Sequence, residues 1–356
     1  MKIMFVIPSL SFGGAERVVS VLSNELVAQG NDVQILIYFR TENEYPTDIT
    51  VKKVYLSNGF EDDYNKMNYY KRLALLRRIT KAYNPDYIVP FLSHVCIQTC
   101  VALFGLDYKI IQTVRNNPKT LPKNKLHRFL RDLFINHSYK TIVQNNEQKD
   151  YFCKKIHNKI FVLPNPVREE LFQAEKNKKS DKFIIASAGR LTYQKNFKLL
   201  IDSVENICKE NSNVILQIYG DGELRDDLQN YINEKQLNKS VFLMGRTNDM
   251  KSMFESIDLY ILSSDFEGMP NSLMEAMAAG VPCISTDCPT GPSDLIVDGE
   301  SGLLVPVNDS IAMENAIRKM LFKLDKEHLA NQARIFIKNS YSAKIIVSRL
   351  MHILQG

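Results

Sequence analysis

Several patterns that define other classes of protein are absent from this sequence of 356 residues. Its six cysteines form no Cys-x-x-Cys pair, which is typical of reduced thiols in a cytosol rather than of a disulfide framework. No uninterrupted apolar stretch reaches the roughly 18 residues that a membrane-spanning helix needs. The first apolar run ends at Pro8, too early for the apolar core of a signal peptide. We therefore expect a cytoplasmic protein without a spanning helix.

Internal repeats and low-complexity segments are also lacking, and the composition, 45% hydrophobic and 24% charged, is that of an ordinary globular protein. At roughly 150 residues per domain, the length predicts a little over two domains. The net charge of +5 is unevenly distributed: residues 1–170 contain 24 Lys and Arg against 16 Asp and Glu, whereas the remainder contains 21 against 24. This asymmetry indicates that the first half meets something anionic.

Short runs rich in β-branched residues alternate with segments of helical spacing, which predicts βαβ units and parallel sheets. The predicted strands lie at residues 2–7, 32–38, 87–91, 109–114, 141–144 and 160–163 of the first half, and at 183–187, 214–219, 241–244, 259–263 and 281–285 of the second. A polar, Lys-rich stretch at 173–182 is typical of a linker.

We therefore predict an α/β chain of two Rossmann-like, doubly wound domains that face each other across a cleft. Residues 1–170 form the first domain and 171–340 the second, while a C-terminal helix at 341–356 is free to pack back onto the first. Ligands of such sheets bind beyond the carboxyl ends of the strands.

Gly13 and Gly14 follow the first predicted strand within the sequence SFGGAER. Glycines at a strand-to-helix turn let backbone N–H groups approach a ligand, and the helix N-terminus favours an anion. The alternative is a tight turn that simply needs small residues. The pattern is not Gly-x-Gly-x-x-Gly, and no acidic residue ends the second strand, so a dinucleotide site is disfavoured.

Two cations, Arg190 and Lys195, follow a predicted strand in AGRLTYQKN, at the place where a phosphate would lie. Charge-assisted hydrogen bonds of this kind contribute ~1.5–3 kcal/mol each, and Arg can bind two oxygens at once. Solvated surface cations are the alternative interpretation for either residue alone.

The sequence SSDFEGMPNSLMEAMAAG, residues 263–280, is the most informative. Pro270 suits the first position of a helix and Gly280 the position just past its end. The preceding loop would present free backbone N–H groups to an anion or a sugar hydroxyl. A carboxylate accepts hydrogen bonds from vicinal hydroxyls, so the pair of Glu267 in the loop and Glu275 in the helix is able to hold a ribose and a hexose, with neither residue assigned to either sugar. The alternative is an ordinary capped helix with one exposed Glu.

This stretch, with two Glu separated by seven residues, resembles the donor-site motif of glycosyltransferase family 4, retaining enzymes of the GT-B fold. The likeness covers most of the chain through SFGGAER (11–17), TVRNNP (113–118), NPV (165–167), AGRLTYQKN (188–196), YGDGEL (219–224), FLMGR (242–246) and DGESGLLVP (298–306). Members of this family build capsules, lipid-linked oligosaccharides, lipopolysaccharide cores and similar glycans.

The resemblance implies a role for each matching residue. Arg190 and Lys195 would neutralise the departing diphosphate, Glu275 would hold the ribose, and Glu267 would hold the donor sugar. Other implied donor-site residues are Gly13 and Gly14 against the phosphate or acceptor, Gly245 and Arg246 near the base, and Gly268, Met269, Pro270, Asn271 and Ser272 near the sugar and phosphate.

The chain departs from the family at Val114-Arg115, where relatives often have a Glu-His or Glu-Arg pair. Arg115 thus stands where some relatives have a His, and the acidic member is missing. His94, just after a predicted strand, is the other candidate near the sugar, although a lone His is more often structural. Arg115 and His94 complete the candidate catalytic residues, and no base is identified.

No metal or other cofactor is expected, because the chain offers no convincing Asp-x-Asp pair; Asp62 and Asp63 lie in a polar loop by the sequence pattern. Protein cations and a helix N-terminus would then stabilise the leaving diphosphate. The expected mechanism is front-face substitution with retention, in which the departing phosphate oxygen accepts the acceptor's proton.

Two basic segments predict an anionic membrane surface as a partner. Residues 115–131 contain six Lys and Arg and no acidic residue, and 64–81 contain another six. Apolar residues interleave with or neighbour them: Leu121, Leu126, Leu130, Phe134, Tyr69, Tyr70, Leu73 and Leu76. We expect peripheral attachment at the inner face of the cell membrane. A solvated basic face is the alternative, and nucleic acid is not expected because no binding module is present.

These observations predict a retaining glycosyltransferase that moves a hexose or N-acetylhexosamine from a nucleotide sugar, with UDP the commonest nucleotide in the family. The expected acceptor is a glycan on a lipid diphosphate, in cell-surface polysaccharide biosynthesis. The alternatives are a nucleotide-sugar epimerase of the same architecture and a non-catalytic partner that binds nucleotide sugar.

Overall fold

The structure, a computed structural model, describes residues 1–11, 13–119, 121–177, 180–247 and 249–356. The chain divides into two compact units, Met1–Pro166 with Ala343–Gly356 and Val167–Ser342. The Lys-rich stretch 173–182 is not a linker between them, as the sequence predicted, because it lies inside the second unit. Leu171 and Phe172, directly before it, are already buried in that unit's core. Lys178 and Lys179 lie outside the described residues.

Parallel strands form the centre of the first unit. They are β1 (Lys2–Ile7), β2 (Asp32–Ile37), β3 (Lys52–Tyr55), β4 (Tyr87–Pro90), β5 (Lys109–Thr113), β6 (Lys140–Val143) and β7 (Ile160–Val162). Among the described residues these seven form one sheet in the order β3-β2-β1-β4-β5-β6-β7. The order reverses between β1 and β4, and such a switch point is where doubly wound sheets bind ligands.

Helices connect these strands. They are α1 (Gly14–Ala28), α2 (Glu61–Lys66), α3 (Tyr69–Tyr83), α4 (Ser93–Ala102), α5 (Lys125–His137) and α6 (Asn146–Asp150). In α1, the spacing of Val18, Leu22 and Leu26 places all three on one buried face. The adjacent Asp62 and Asp63 lie in the first turn of α2, so the predicted polar loop is a short helix.

The second unit repeats this architecture. Its strands are β8 (Phe183–Ala188), β9 (Val214–Tyr219), β10 (Val241–Gly245), β11 (Leu259–Leu262), β12 (Cys283–Thr286) and β13 (Leu303–Val305). Within the described ranges they form one six-stranded parallel sheet, β10-β9-β8-β11-β12-β13, with the reversal between β8 and β11. Its helices are α7 (Phe197–Glu210), α8 (Arg225–Glu234), α9 (Met250–Ser256), α10 (Asn271–Ala278), α11 (Pro292–Leu295), α12 (Ser310–Phe322) and α13 (Lys326–Tyr341).

Both faces of each sheet are covered, which explains why the inner strands are almost wholly apolar. Along β1, Ile3, Phe5 and Ile7 enter one core, whereas Met4 and Val6 enter the core on the opposite face. This is the expected consequence of side chains that alternate along a strand. The predicted doubly wound α/β architecture is therefore confirmed.

The last helix, α14 (Ala343–Gln355), belongs to the first unit although it comes last in the sequence. Ile346, Leu350 and Leu354 lie in the same core as Phe5. Their spacing of four residues places them on one face of the helix, and this face packs in the same core as α1. The first unit is thus closed by residues from both ends of the chain.

Candidate functional site

In the second unit, the loops that follow β8 and β11 are joined by hydrogen bonds. The backbone N–H of Asp265 donates to the carbonyl of Gln194 (2.9 Å), and Asn196 Nδ2 donates to Asp265 Oδ1 (2.7 Å). Ser263 Oγ donates to the carbonyl of Lys195 (2.8 Å). Because β8 and β11 are neighbours at the switch point, their carboxyl-end loops form one braced surface.

Lys195 and Glu267, which the sequence predicted separately, form an ion pair on this surface. Lys195 Nζ lies 2.6 Å from Glu267 Oε1, and the Ser264 hydroxyl donates to the same oxygen at 2.6 Å. The side chains are only 16% and 7% exposed, so water screens the pair weakly. A Cβ on Gly189 would lie 2.9 Å from Lys195 Cε, so this glycine lets the lysine side chain lie close to the backbone. Lys195 is thus held in one orientation before any substrate binds.

The other predicted cation, Arg190, directly follows Gly189 beyond the end of β8 and is exposed. Its carbonyl accepts a hydrogen bond from the backbone N–H of Thr192 (2.8 Å), which tightens the turn. The structure therefore offers one fixed cation, Lys195, and one exposed cation on the same loop.

The loop before α10 differs from its prediction. The backbone N–H of Glu267 is not free, because it donates to the carbonyl of Pro289 (3.3 Å). Thr290 Oγ1 donates to the carbonyl of Glu267. Gly268 and Met269 also have interaction partners. The reason is tertiary: the segment after β12 packs against this loop, which no local pattern shows.

Helix α10 begins one residue later than predicted. Pro270 is its N-cap rather than its first helical residue, and Asn271 begins the helix with Ser272 next. Gly280 does follow the end of the helix, with a left-handed φ of 74°. Gly291 is needed opposite Pro270, since a Cβ there would lie 2.6 Å from Pro270 Cδ.

Glu275 on α10 is buried, not the exposed Glu of the alternative interpretation. The residue is 2% exposed, and Arg168 Nε lies 3.7 Å from its Oε1. Arg168 also pairs with Glu170 (2.8 Å). Sequence reasoning missed Arg168, although it directly follows the NPV motif. Arg168 supplies the positive charge that keeps a carboxylate tolerable at this depth.

Gly245 and Arg246, which were predicted to lie near the nucleotide base, are at the end of the edge strand β10. Gly245 has a φ of +76°, and its carbonyl accepts the N–H of Gly220 (2.8 Å). Arg246 is exposed and lies 3.5 Å from Asp221 Oδ2. A Cβ at Gly220 would collide with the carbonyl of Gly189. Gly220, after β9, therefore contacts both Gly189, after β8, and Gly245, at the end of β10.

In the first unit, Gly13 is the N-cap of α1, and its N–H donates to the carbonyl of Ser11 (2.7 Å). A Cβ on Gly13 would collide with the carboxylate of Glu16, which folds back over this turn. Because the N–H of Gly13 donates to Ser11, it is not free to bind an anion in the way that the sequence predicted. Gly14 is exposed and begins the helix, while Phe12 lies outside the described residues.

Arg115 follows β5 and meets residues from two other strand ends. Its guanidinium carbon lies 4.6 Å from the centroid of the Phe91 ring, and Nη1 donates to Asn165 Oδ1 (2.9 Å). The TVRNNP and NPV motifs thus meet in space. His94 lies at the start of α4 and is exposed. Partial desolvation, with a smaller effect of the His127 charge, lowers the pKa of His94, so the imidazole is neutral at pH 7.

Helix α5 has an apolar face that is exposed. Leu126, Phe129 and Leu133 are 62%, 63% and 39% exposed, and their spacing places them on one side of the helix. We call these three residues the α5 apolar face. Arg131, one of the cations counted in this segment, is not on the surface: it is 2% exposed and pairs with Asp132 at 2.7 Å.

In the part of the chain that the structure describes, no helix has both the length and the apolar character needed to cross a bilayer. No group of three or more His, Cys, Asp and Glu side chains there is arranged to hold a metal ion. Metal-independent transfer nevertheless stays a prediction.

Comparison with protein families agrees with the predicted resemblance. A model described as Glycosyl transferases group 1 matches residues 168–342, and one described as Glycosyltransferase Family 4 matches residues 12–171. Together they span residues 12–342, which is 331 of the 356 residues.

Two named relatives are similar, one along almost its whole length and one over about half of it. The GalNAc-alpha-(1->4)-GalNAc-alpha-(1->3)-diNAcBac-PP-undecaprenol alpha-1,4-N-acetyl-D-galactosaminyltransferase of Campylobacter jejuni is 29% identical, covering 94% of this chain and 93% of its own. The UDP-Gal:alpha-D-GlcNAc-diphosphoundecaprenol alpha-1,3-galactosyltransferase of Escherichia coli is 32% identical over 49% of each chain. Among solved structures, Anabaena HepE in complex with UDP and glucose has a TM-score of 0.81, with 16% identity and 100% of both chains covered.

The fold and these matches define a glycosyltransferase of the GT-B fold, with two Rossmann-like units. The chain belongs to the glycosyltransferase family that the two models describe, family 4 with its group 1 domain. The predicted family and fold are confirmed. The roles of the individual site residues stay predictions.

Proposed function

We propose that this enzyme transfers a hexose or N-acetylhexosamine from a UDP-sugar to a glycan on a lipid diphosphate, with retention of configuration. The observation that carries the proposal is the braced pair of Lys195 and Glu267 beside the exposed Arg190 at the switch point of the second unit. Two relatives act on undecaprenol diphosphate-linked acceptors by their descriptions, and one uses UDP-Gal to form an alpha linkage.

The chemistry requires stabilisation of a leaving diphosphate. The bond between the anomeric carbon and the phosphate oxygen breaks, and its electron pair stays on that oxygen. The acceptor oxygen bonds to the anomeric carbon on the same face, and its proton passes to the departing phosphate oxygen. Arg190, Lys195 and the N-terminal end of α10 supply positive charge or dipole where negative charge develops. This assignment makes transfer independent of a metal.

The two carboxylates have separate tasks in the proposal. Glu267 accepts hydrogen bonds from hydroxyls of the donor sugar, while Glu275 accepts those of the ribose. Because Glu267 already holds Lys195 at 2.6 Å, it also fixes the cation that meets the phosphate. Arg168 pairs with Glu275 in the same way, with 3.7 Å between Arg168 Nε and Glu275 Oε1. Ion-pair partners therefore orient both carboxylates before the donor binds.

Membrane attachment is the second part of the proposal, and the α5 apolar face supports it. Lys119, Lys123 and Lys125, just before or at the start of this helix, are exposed and match the charge of anionic headgroups. Exposed apolar side chains flanked by lysines are typical of a helix that lies in a membrane interface. Such attachment would bring the enzyme to an acceptor carried on a lipid.

A panel of nucleotides tests the donor assignment. The melting temperature of the enzyme is measured with UDP, GDP, ADP and their hexose and N-acetylhexosamine conjugates. A ligand at 100 times its Kd stabilises the folded state by about 2.7 kcal/mol. We expect UDP and one UDP-sugar to raise the melting temperature. The Lys195→Ala variant should lose this stabilisation. The control, Lys198→Ala, changes a lysine that lies over the Tyr231 ring and should keep it. Stabilisation by GDP compounds alone would contradict the donor assignment.

Product analysis separates transfer from epimerisation. With a UDP-sugar and no acceptor, a transferase leaves the sugar configuration unchanged, whereas an epimerase converts it. Family membership supports transfer. Conversion of the UDP-sugar without acceptor would favour the epimerase.

A further inference from the structure

The guanidinium of Arg115 is fixed by two neutral neighbours. The Phe91 ring lies against it at 4.6 Å, and Asn165 accepts a hydrogen bond from Nη1 at 2.9 Å. The guanidinium Nε, on the side away from Nη1, is shielded from solvent and has no hydrogen-bond partner among the described residues. Nε and Nη2 form the edge with which arginine binds two oxygens of one anion. The Nε end of this edge therefore donates no hydrogen bond to any described residue.

Among the residues that the structure describes, no carboxylate compensates the charge of Arg115. Burial lowers its pKa to about 10, and the one charge effect that opposes this comes from the Cys96 thiol. Arg318 on α12 shows the contrasting case, because hydrogen bonds to Glu210 and Glu314 raise its pKa. Arg115 stays cationic at neutral pH, so within the described part of the first unit its desolvated positive charge has no acidic partner. Such a charge is costly unless something pairs with it.

Arg115 lies at the carboxyl end of a strand, which is where doubly wound sheets bind ligands. Phe91 directly follows β4, Arg115 lies two residues beyond β5, and Asn165 lies three residues beyond β7. All three are thus at the carboxyl ends of parallel strands in one unit. The residue as a whole is only half-buried. Nε itself is covered, so an anion meets the Nε–Nη2 edge only after the atoms over Nε move.

We propose that Arg115 is the centre of an anion-binding site in the first unit, and that it takes two oxygens of a phosphoryl or carboxylate group on the acceptor. Asn165 and Phe91 hold the guanidinium so that its Nε–Nη2 edge meets the anion. The assignment of the anion to the acceptor rests on the proposed function, whereas the binding itself does not. The two sources are the diphosphate of a lipid carrier and the carboxylate of an acidic sugar.

Arginine side-chain NMR tests the site directly. The full chain is labelled with ¹⁵N-arginine, and the Nε–Hε signal of Arg115 is identified by its loss in Arg115→Lys. Inorganic pyrophosphate and sodium glucuronate are titrated separately, with sodium chloride at matched ionic strength. Arg40, whose guanidinium lies 4.2 Å from the Tyr55 ring in the same unit, provides the control signal and is identified with Arg40→Lys.

We expect a saturable shift of the Arg115 signal with at least one of the two anions, no such shift with chloride, and no saturable shift of the Arg40 signal. Asn165→Ala, which removes the brace and keeps Arg115, should raise the midpoint of that titration. A lower midpoint for pyrophosphate assigns the site to a diphosphate, and a lower midpoint for glucuronate assigns it to an acidic sugar. Absence of a saturable Arg115 shift with both anions, or the same shift with chloride, would overturn the proposal.

The outcome is independent of the donor site. Pyrophosphate that binds only at Arg190 moves the Arg190 signal and leaves that of Arg115 unchanged, a result that counts against the Arg115 site alone. Conversely, a saturable Arg115 shift stands even if the enzyme proves not to use a lipid-linked acceptor.

Discussion

The carboxyl ends of the two sheets treat buried charge in opposite ways. In the second unit, Glu267 and Glu275 are buried at this end and each has a cation: Lys195 at 2.6 Å from Glu267, and Arg168 at 3.7 Å from Glu275. In the first unit, Arg115 is held by an aromatic ring and an amide instead. The first arrangement is complete in the free protein, whereas the second has a cation to which a ligand can add the counter-charge.

The difference matches the chemistry of the two substrates that we propose. A nucleotide sugar presents hydroxyls as well as phosphate, so its site needs carboxylates and cations together, and these must be paired when no ligand is present. An anionic group on the acceptor needs only hydrogen-bond donors, such as the Nε–Nη2 edge of a guanidinium. The predictions that follow test this comparison, beginning with the largest expected effect.

Removing the fixed cation of the second unit should have the largest effect. In Lys195→Ala the leaving diphosphate loses a charge-assisted partner, so kcat should fall on the order of 10²-fold or more. Arg190→Ala should behave similarly. Steady-state transfer assays measure kcat. Lys198→Ala is the matched control, because Lys198 on α7 lies against the ring of Tyr231 on α8. Near-full turnover in both site variants would show that the cations do not stabilise the leaving group.

Breaking the same pair from its acidic side should lower stability. Glu267→Gln leaves Lys195 without its carboxylate partner in a site where the side chains are 7% and 16% exposed. We expect a loss of about 3 kcal/mol in the free energy of unfolding, measured by denaturant titration. Glu210→Gln, which breaks the exposed pair with Arg318, is the control and should cost far less. Equal losses in the two variants would mean that the pair is not effectively buried.

The α5 apolar face should decide membrane binding. The triple change of Leu126, Phe129 and Leu133 to Ser removes apolar area that would enter the interface, so partition onto anionic liposomes should fall at least about tenfold. Flotation at physiological salt measures this. The control changes two exposed apolar residues of the second unit, Ile311→Ser and Phe322→Ser, which are 73% and 69% exposed. If the wild-type enzyme does not float with the liposomes, membrane attachment is wrong.

The smallest effect concerns His94. Desolvation lowers its pKa in the folded state below the unfolded value of roughly 6.5, so the unfolded chain binds the proton more readily. Stability should therefore be highest above that pH and decrease as the pH falls through and below it. His94→Gln should show a shallower decrease between about pH 7 and 5 in thermal melts. Parallel curves for the two proteins would contradict the assigned pKa direction.

Most of the sheet architecture follows from the sequence because buried parallel strands have a strong local signal. The sequence analysis missed two strands, β3 (Lys52–Tyr55) and β13 (Leu303–Val305), and both lie at sheet edges. Strand β3 is exposed at Lys52 and Lys53, so it lacks the apolar run of an inner strand. Strand β13 has only three residues. Edge strands are defined by a neighbour that is distant in sequence.

The candidate site was predictable to the extent that it depends on strand ends. Arg190, Lys195 and Glu267 follow predicted strands, and topology brings these ends together. The partners of the charged groups were not predictable in this way. Arg168 meets Glu275 across more than 100 residues of sequence, and Glu16 covers Gly13 through its own side-chain rotamer. The Arg168–Glu275 contact leaves no periodic signal because it depends on how distant segments pack, whereas the Gly13–Glu16 contact is local to the first turn of α1.

Replacement of a divalent ion by protein cations is the central claim, and a chelation assay tests it most directly. Transfer from the UDP-sugar that stabilises the enzyme is measured with a lipid-diphosphate-linked glycan acceptor, after removal of metal with EDTA and in its continued presence. We predict that kcat is unchanged by EDTA and by added Mg²⁺ or Mn²⁺, while Lys195→Ala remains slow under all of these conditions. Loss of transfer in EDTA that only Mg²⁺ or Mn²⁺ restores would contradict the account.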